Sequence, residues 1–405
     1  MRIAALLALV LATTVHAQWT MQRSNTTADL RGIHNVGNGV AWASGTHGTV
    51  LRTEDGGYLW QTCTVPPGAE KLDFRGIQAF DANTAIVMSS GSGNQSRLYK
   101  TTDGCATWKL VFTNPDKDGF WDAVTARMTS GDDVEGCGKG SRVIRGAILG
   151  DPAIHKLNQW DTTKRSSFYL ADFVIGITCP TDKLSRSASA LFSTSRAESA
   201  FAASNSVLYE QGPGDYWIVT AYRMTQYITG ATMPSHYYAE SLCDISIPIG
   251  RFSESVPELT AGAFSLGIRP GTAELPKPIK IGGFNWKAPT CLKADMVVVG
   301  GDYKAVDDVE NTAAFTAGSN KFQLAKTMPH GYRSAVAYEE KSKTWITVGP
   351  NGTDISTDDG RNWRALKPIS TDAPDADKNW NALSLPYVVG PKGRIAKLRE
   401  DALKP

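Results

Sequence analysis

The sequence has no excess of charge of either sign, few metal ligands and no long apolar run after its first residues. Its 42 Lys and Arg residues against 40 Asp and Glu residues give a formal charge of +2, which argues against the basic surface of a nucleic-acid-binding protein. The six histidines are scattered and no Cys-x-x-Cys pair occurs, so the spacing typical of zinc sites is missing. No later segment approaches the ~20 apolar residues of a membrane-spanning helix. We therefore expect no nucleic-acid partner, no metal, no cofactor and no transmembrane anchor.

The first 17 residues have the pattern of a secretory signal peptide. Arg2 supplies the positive end, residues 3–12 form the apolar run, and Val15 and Ala17 form a small-residue cleavage site before Gln18. No cysteine follows the apolar run, so a lipid anchor is not expected. The mature protein is predicted to be soluble, secreted or periplasmic, with residues 18–405 forming a single domain.

All six cysteines lie after this segment. An even number of cysteines in an oxidising compartment favours a disulfide framework. Many pairings are possible, and pairing of sequence neighbours is our prediction. The predicted disulfides are Cys63–Cys105, Cys137–Cys179 and Cys243–Cys291.

An eight-residue motif, Ser/Thr-x-Asp-x-Gly-x-x-Trp, occurs three times. It spans residues 53–60, 101–108 and 356–363, and Cys105 replaces the glycine in the second copy. A carboxylate can accept backbone N–H groups across a tight turn, and glycine tolerates a positive φ. The motif resembles the Asp box of sialidase-type, or BNR-repeat, β-propellers, in which it lies on the outer rim. We therefore interpret its acidic and aromatic residues as structural: Asp55, Trp60, Asp103, Trp108, Asp358 and Trp363.

A second repeat stands upstream of the motif. The phrase Arg-Gly-Ile occurs at residues 31–33 and 75–77, which is a spacing of 44 residues and the length of one propeller blade. Related segments bring the number of predicted innermost strands to seven. These strands start at residues 30–33, 74–77, 121–124, 198–201, 261–264, 332–336 and 380–383. Each is followed by a short apolar second strand, so we predict an all-β, seven-bladed β-propeller with Asp-box turns.

The mature N-terminus is predicted to complete the seventh blade. That blade has three evident strands, ending at residues 395–398, and residues 18–22 resemble an outer strand headed by Trp19. Closure by the N-terminal strand would remove free sheet edges and lock the ring. Blades three to five carry the main insertions, which either have no binding role or form a partner-binding rim. They comprise residues 125–142, 153–197 and 225–260.

Several phrases extend this likeness to a narrower family. The first of these phrases combines residues 120–124 and 150–152, and two others are residues 200–204 and 298–304. The last begins at residues 331–337 and continues through 348–353 to the motif that starts at Ser356. They resemble the Ycf48/Hcf136-like photosystem II assembly-factor family, a branch of the BNR/sialidase-like propellers, in its bacterial exported subgroup. The resemblance covers nearly all of the mature chain. It implies a seven-bladed binding scaffold with an arginine-rich patch, and it does not imply a link to photosynthesis.

The repeat register brings the strand starts to one mouth of the predicted propeller. Three guanidinium groups around one opening would trap a carboxylate or phosphate, and two indole rings would supply apolar walls. The predicted ligand-binding residues are Arg31, Arg75, Arg333, Trp121, Trp380 and Asn381. The expected partner is a protein segment or an anionic small molecule, bound by a monomer.

Two other interpretations stay open. An arginine at a strand start can pair with a carboxylate or with neighbouring backbone and simply stabilise the ring. Alternatively, the chain is a glycoside hydrolase of the sialidase-like or two-carboxylate type, with Asp122, Glu198 and Tyr332 as candidate catalytic residues. A sialidase is disfavoured because the first blade has Arg-Gly-Ile rather than Arg-Ile-Pro, and because Tyr332 and Arg333, as neighbours on a strand, would point apart. An enzyme is therefore the less favoured hypothesis.

Overall fold

The computed structural model describes residues 18–151, 169–188, 200, 205–212, 215–220, 223–228, 243–249, 261–272, 278–281, 284–287, 294–319, 321–370 and 372–403. These ranges contain thirty β-strands, and a 3-10 turn at Gly93–Gln95 is their only helical element. The predicted all-β class is therefore confirmed. The predicted signal peptide, residue Glu198 and parts of the insertions at 153–197 and 225–260 lie outside the described ranges.

Seven sheets of four antiparallel strands make up most of this part of the chain, and we number them I to VII. Sheet I comprises Leu30–Gly37, Val40–Gly45, Val50–Thr53 and Gln61–Thr62. Sheet II comprises Phe74–Ala79, Ala85–Ser89, Arg97–Thr101 and Lys109–Thr113. Sheet III comprises Phe120–Ser130, Arg142–Asp151, Tyr169–Gly176 and Asp182–Ala188. Sheet IV comprises Leu208–Gly212, Asp215–Val219, Arg223–Ile228 and Cys243–Ser246.

The remaining sheets follow the same plan. Sheet V comprises Ala261–Ile268, Met296–Asp302, Ala313–Phe315 and Gln323–Leu324. A separate two-stranded sheet, formed by Pro278–Ile281 and Phe284–Lys287, lies between its first two strands in sequence. Sheet VI comprises Ala335–Glu339, Thr344–Gly349, Gly352–Ser356 and Arg364–Ala365. Sheet VII comprises Ala382–Ser384, Tyr387–Val389, Ile395–Leu398 and Trp19–Gln22.

The second strand of every numbered sheet is largely buried. All five residues of Ala85–Ser89 are buried, as are all six of Thr344–Gly349. A strand that is covered on both faces reads as a continuous apolar run rather than as an alternating one. Each numbered sheet packs against the next, and sheet VII also packs against sheet I. The hydrophobic core therefore lies between neighbouring sheets, where six tryptophans are fully buried: Trp42, Trp60, Trp121, Trp217, Trp345 and Trp380.

Side chains from outside the sheet form hydrogen bonds with the free edge of some first strands. Asn205 Oδ1 accepts the N–H of Val124 at 2.7 Å, and Asn205 Nδ2 donates to the carbonyl of the same residue at 2.8 Å. Ser265 Oγ likewise accepts the N–H of Val336 at 3.0 Å. These contacts satisfy backbone groups that have no partner strand, and they link sheet III to the segment before sheet IV and sheet V to sheet VI.

The two ends of the described chain meet in sheet VII. Trp19–Gln22 pairs in antiparallel fashion with Ile395–Leu398, with Trp19 opposite Leu398. The indole rings of Trp19 and Trp380 lie 6.1 Å apart, centroid to centroid. The predicted outer strand at the mature N-terminus therefore forms, and it is the fourth strand of its sheet.

Two of the three predicted disulfides are confirmed. Cys63–Cys105 and Cys137–Cys179 are bonded, with Cα–Cα distances of 5.3 and 5.2 Å. The predicted Cys243–Cys291 pair lies outside the described side chains. Part of the segment 125–142, predicted as an insertion, extends the first two strands of sheet III, so that the hairpin carrying Cys137 projects beyond the length of the other sheets.

Candidate functional site

The three copies of the eight-residue motif fold in the same way. In the first copy Thr53 Oγ1 donates to Asp55 Oδ1 at 2.8 Å, and the same carboxylate oxygen accepts the Leu59 N–H at 3.0 Å. In the second copy Asp103 Oδ1 accepts the Thr107 N–H at 3.0 Å, and in the third copy Asp358 Oδ1 accepts the Asn362 N–H at 2.9 Å. The hydrogen bonds from Leu59 and Thr53 lower the pKa of the Asp55 carboxyl. These carboxylates are engaged within their own turns.

The fifth position of the motif has a positive φ in every copy. Gly57 and Gly360 have φ values of 92° and 82°, and Cys105 at the same position has a φ of 64°. The tryptophan that ends each copy is buried. Cys105 is therefore a non-glycine residue held in the left-handed region, and its disulfide partner is Cys63.

Arg31 and Arg75 share one carboxylate. Arg31 Nε lies 3.3 Å from Asp73 Oδ1, and Arg75 Nε lies 2.9 Å from Asp73 Oδ2. The side chains of Arg31, Arg75 and Asp73 are 31%, 28% and 22% exposed. Asp73 directly precedes the first strand of sheet II, which carries Arg75, so its carboxylate contacts one arginine of its own sheet and one of sheet I. These three residues, with Asp122 and Asp151, form what we call the arginine–aspartate cluster.

Asp122 is the most buried carboxyl of this cluster. Burial and the neighbouring Asp151 raise its pKa well above the usual range, and the positive charge of Arg75 offsets only part of this. Its Oδ2 atom is buried without a hydrogen-bond partner. A carboxyl in this environment favours its protonated form.

Tyr332 interacts electrostatically with Arg31 of this cluster. Its ring packs edge-on against Phe264, with 4.8 Å between centroids. Burial and Tyr303 raise the pKa of the Tyr332 hydroxyl, whereas the charge of Arg31 acts in the opposite direction. Arg31 belongs to sheet I and Tyr332 directly precedes sheet VI, which are not neighbours in the chain order of the sheets. This electrostatic interaction joins a residue of sheet I to one that precedes sheet VI.

Arg333 forms a buried ion pair, unlike the partly exposed Arg31 and Arg75. Its side chain is 0% exposed and that of Asp354 is 2% exposed. Arg333 Nε donates to Asp354 Oδ2 at 2.9 Å, and its terminal nitrogens donate to the same oxygen and to Asn351 Oδ1. His330 Nδ1 lies 2.8 Å from Asp354 Oδ1. We call His330, Arg333, Asn351 and Asp354 the Arg333 network.

The other predicted ligand-binding residues are structural in their contacts. Trp121 and Trp380 are fully buried within the hydrophobic core, so their rings do not line an opening. Asn381 Nδ2 donates to the Leu30 carbonyl at 2.8 Å and so links sheet VII to sheet I. Glu198 lies outside the described residues. The structure thus brings together Arg31, Arg75 and Asp122 with Tyr332 nearby. Arg333, Trp121, Trp380 and Asn381 are engaged in other contacts.

Sequence reasoning missed Asp73 as the residue that joins the two arginines. A signal was present, because Asp-x-Arg-Gly occurs at residues 29–32 and again at 73–76. In the first copy Asp29 Oδ1 accepts the Lys392 N–H at 3.0 Å, while Arg31 reaches Asp73. Across the described ranges no group of three or more potential metal ligands occurs, and no helix there is long and apolar enough to cross a bilayer.

No protein-family model and no curated protein sequence matches the chain. Among solved structures, YCF48 bound to a D1 peptide is similar, with a TM-score of 0.52, 14% identity, and coverage of 96% of this chain and 98% of that chain. YCF48 from Cyanidioschyzon merolae gives a TM-score of 0.52 at 15% identity, with coverage of 95% and 100%. The chain has a YCF48-like fold. The YCF48-like scaffold, a propeller of four-stranded antiparallel sheets, agrees at the level of fold with the family resemblance seen in the sequence.

Proposed function

We propose that the chain is an exported, seven-bladed propeller that binds a protein segment at one mouth of its central channel. Sheets I to VII would be the seven blades, and pairing of Trp19–Gln22 with Ile395–Leu398 would close the ring. The contact of each sheet with the next, and of sheet VII with sheet I, supports this arrangement. The two described disulfides fit an oxidising compartment. The protein would be a monomer in that compartment, with its signal peptide cleaved near Ala17.

The observation that carries the proposal is the shared carboxylate of Asp73. Arg31, Arg75 and Asp73 are all partly exposed. A partner carboxylate that approaches this surface would receive charge-assisted hydrogen bonds from two planar guanidinium groups, which are stronger than neutral ones. An acidic side chain or a chain terminus of a protein segment therefore fits the site, as does an anionic small molecule.

The proposed site has two arginines rather than the three expected from the repeat. Arg333 is excluded because its side chain is fully buried and its guanidinium is engaged by Asp354 and Asn351. The buried rings of Trp121 and Trp380 are excluded for a similar reason. One neighbour of known structure, YCF48, is described as bound to a D1 peptide, and this supports a peptide-like ligand by analogy.

The test uses the full mature chain and a fluorescent library of acidic peptides, each made with a free and with an amidated C-terminus. Fluorescence anisotropy should detect binding by the wild type, and Arg31→Gln with Arg75→Gln should weaken it by about tenfold or more, because two charged hydrogen-bond donors are lost. Arg23→Gln with Arg364→Gln is the matched control, since both arginines are exposed and lie outside the cluster. Equal binding by both double variants would refute the proposal.

A glycoside hydrolase is the second candidate, and the raised pKa of Asp122 is the reason to keep it. Its burial, with 2% of the residue exposed, is the argument against it, as it is for Arg333. A carboxyl with a raised pKa beside a second carboxyl is what a general acid in such enzymes requires, and Asp122 beside Asp151 meets this description. A broad panel of chromogenic glycosides, tested with the wild type and with Asp122→Asn, would decide. Turnover that disappears in the variant would favour an enzyme, and no turnover across the panel would remove this candidate.

A further inference from the structure

Tyr332 is a buried side chain whose hydroxyl has no hydrogen-bond partner among the described residues. The hydrogen bonds of this residue are made by its main chain: its N–H donates to the Val306 carbonyl at 2.9 Å, and its carbonyl accepts from Arg333 Nη1 at 2.9 Å. Only 5% of Tyr332 is exposed. A tyrosine hydroxyl at this depth normally has a hydrogen-bond partner, and one without a partner calls for an explanation.

Sheet V holds Tyr332 in place. The ring of Tyr332 packs edge-on against Phe264 with 4.8 Å between centroids, and Phe264 is itself buried. The N–H of the next residue, Arg333, donates to the Gly300 carbonyl at 2.9 Å. A Cβ atom at Gly301 would lie 3.3 Å from Tyr332 Cα, so the second strand of sheet V passes close to this residue. The hydroxyl is thus carried on a firm support, and a pre-positioned donor loses little entropy when it binds.

The charge of Arg31 connects this hydroxyl with the arginine–aspartate cluster. Burial and Tyr303 raise the pKa of Tyr332, while the positive charge of Arg31 acts to lower it. The hydroxyl therefore keeps its proton near neutral pH and is able to donate a hydrogen bond. Asp122 Oδ2, in the same cluster, is also buried without a hydrogen-bond partner. The cluster thus combines two partly exposed guanidinium groups with buried polar atoms that have hydrogen-bonding capacity left.

We propose that the Tyr332 hydroxyl is the third donor of the carboxylate site formed by Arg31 and Arg75. This inference rests on the function proposed above, because it names a further contact to the same ligand. A hydroxyl and two guanidinium groups can donate to one carboxylate, whose oxygens together accept about four hydrogen bonds. The Tyr332 hydroxyl takes the place that the repeat assigned to its neighbour Arg333, whose guanidinium is engaged by Asp354.

Tyr332→Phe tests this contact because it removes the hydroxyl and keeps the ring against Phe264. Fluorescence anisotropy with the library of acidic peptides measures binding by the intact mature protein. The variant should bind these peptides about tenfold more weakly than the wild type, as expected for the loss of a hydrogen bond to a charged group. Tyr338→Phe is the matched control, because Tyr338 lies on the first strand of sheet VI and packs against Trp345 with 4.9 Å between centroids. It should bind as the wild type does.

Two further comparisons separate a ligand contact from an effect on folding. Peptides with an amidated C-terminus, and peptides with glutamine in place of glutamate, show whether the hydroxyl meets a chain terminus or an acidic side chain. The difference between Tyr332→Phe and the wild type should disappear only when the contacted carboxylate is removed. In an Arg31→Gln background Tyr332→Phe should weaken binding by less than it does alone, since both residues contact one carboxylate. The same loss in both backgrounds would overturn the proposal.

The remaining outcomes separate this inference from the function on which it rests. If Arg31→Gln with Arg75→Gln weakens binding and Tyr332→Phe binds as the wild type does, the third donor is wrong and the binding function stands. If no acidic peptide binds the wild type, both are overturned. Should Tyr332→Phe not fold, Tyr332→3-fluorotyrosine keeps the ring and carries a more acidic hydroxyl, which is a stronger donor. Binding should then tighten about twofold or more, and unchanged or weaker binding would overturn the contact.

Discussion

Replacing Cys105 separates two effects that the structure places at one residue. The first effect is the Cys63–Cys105 disulfide, and the second is the φ of 64° that Cys105 adopts in its turn. We compare two double variants that both remove the disulfide, Cys63→Ala with Cys105→Ala and Cys63→Ala with Cys105→Gly. The turn position is occupied by glycine in the other two copies of the motif, at Gly57 and Gly360.

The expected magnitudes follow from the loop and the backbone angle. The bridged cysteines are 42 residues apart, and closing a loop of this length in the unfolded chain is worth about 4 kcal/mol in the chain-entropy description. Alanine keeps the left-handed strain of Cys105, which is about 1 kcal/mol relative to glycine. The alanine variant should therefore lose about 4 kcal/mol of unfolding free energy and the glycine variant about 3 kcal/mol.

Urea unfolding followed by tryptophan fluorescence measures both values. The second disulfide supplies the control, because Cys137 and Cys179 are also 42 residues apart and neither has a positive φ. In a Cys179→Ala background, Cys137→Gly should be no more stable than Cys137→Ala. If the glycine variant at position 105 is likewise no more stable than its alanine counterpart, the argument from the positive φ fails.

Three further predictions concern the charged residues. Arg333→Met should cost about 3–5 kcal/mol in urea unfolding because it leaves Asp354 buried without its partner, whereas Arg31→Met should cost less than about 1 kcal/mol because its ion pair is partly exposed. Burial raises the pKa of Asp354, but hydrogen bonds from His330 and the charge of Arg333 outweigh it and lower the pKa overall. The stability that this carboxylate contributes is therefore complete above about pH 4 and is lost as the pH falls further. The thermal unfolding temperature of Asp354→Asn should accordingly approach that of the wild type only in acid. Burial raises the pKa of Asp122, so ionisation of this carboxyl opposes folding. Asp122→Asn should therefore gain stability relative to the wild type as the pH rises above about 4. A difference in unfolding free energy between the two proteins that is the same at all pH values would contradict this.

Much of the fold could be predicted because the second strands are continuous apolar runs. The sequence predicts a short apolar strand after each innermost strand, and the structure has such strands at Ala85–Ser89 and Tyr387–Val389. The pattern marks these strands because both of their faces are covered. The outer strand Trp19–Gln22 was predicted from the position of its tryptophan, which packs against Trp380.

The site was less predictable because a repeat fixes where a strand starts and not which partners its side chains meet. Arg31 and Arg333 occupy related positions, yet Arg31 reaches Asp73 of the next sheet while Arg333 turns to Asp354 of its own sheet. Asp354 stands 21 residues after Arg333, on the third strand of sheet VI, and no sequence motif links the two. Only the packed arrangement shows that one arginine is partly exposed and the other fully buried.

The pairing of Trp19–Gln22 with Ile395–Leu398 also determines the order in which the protein can fold. Sheets I to VI can form from strands that are near one another in sequence, whereas sheet VII waits for residues close to the C-terminus. Until then the N-terminal strand has no partner, and its edge is open to pairing with other chains. Such a long-range closing step is slow. Folding therefore ends with one late event, and a chain shortened by a strand at either end would expose an edge on which two copies could join.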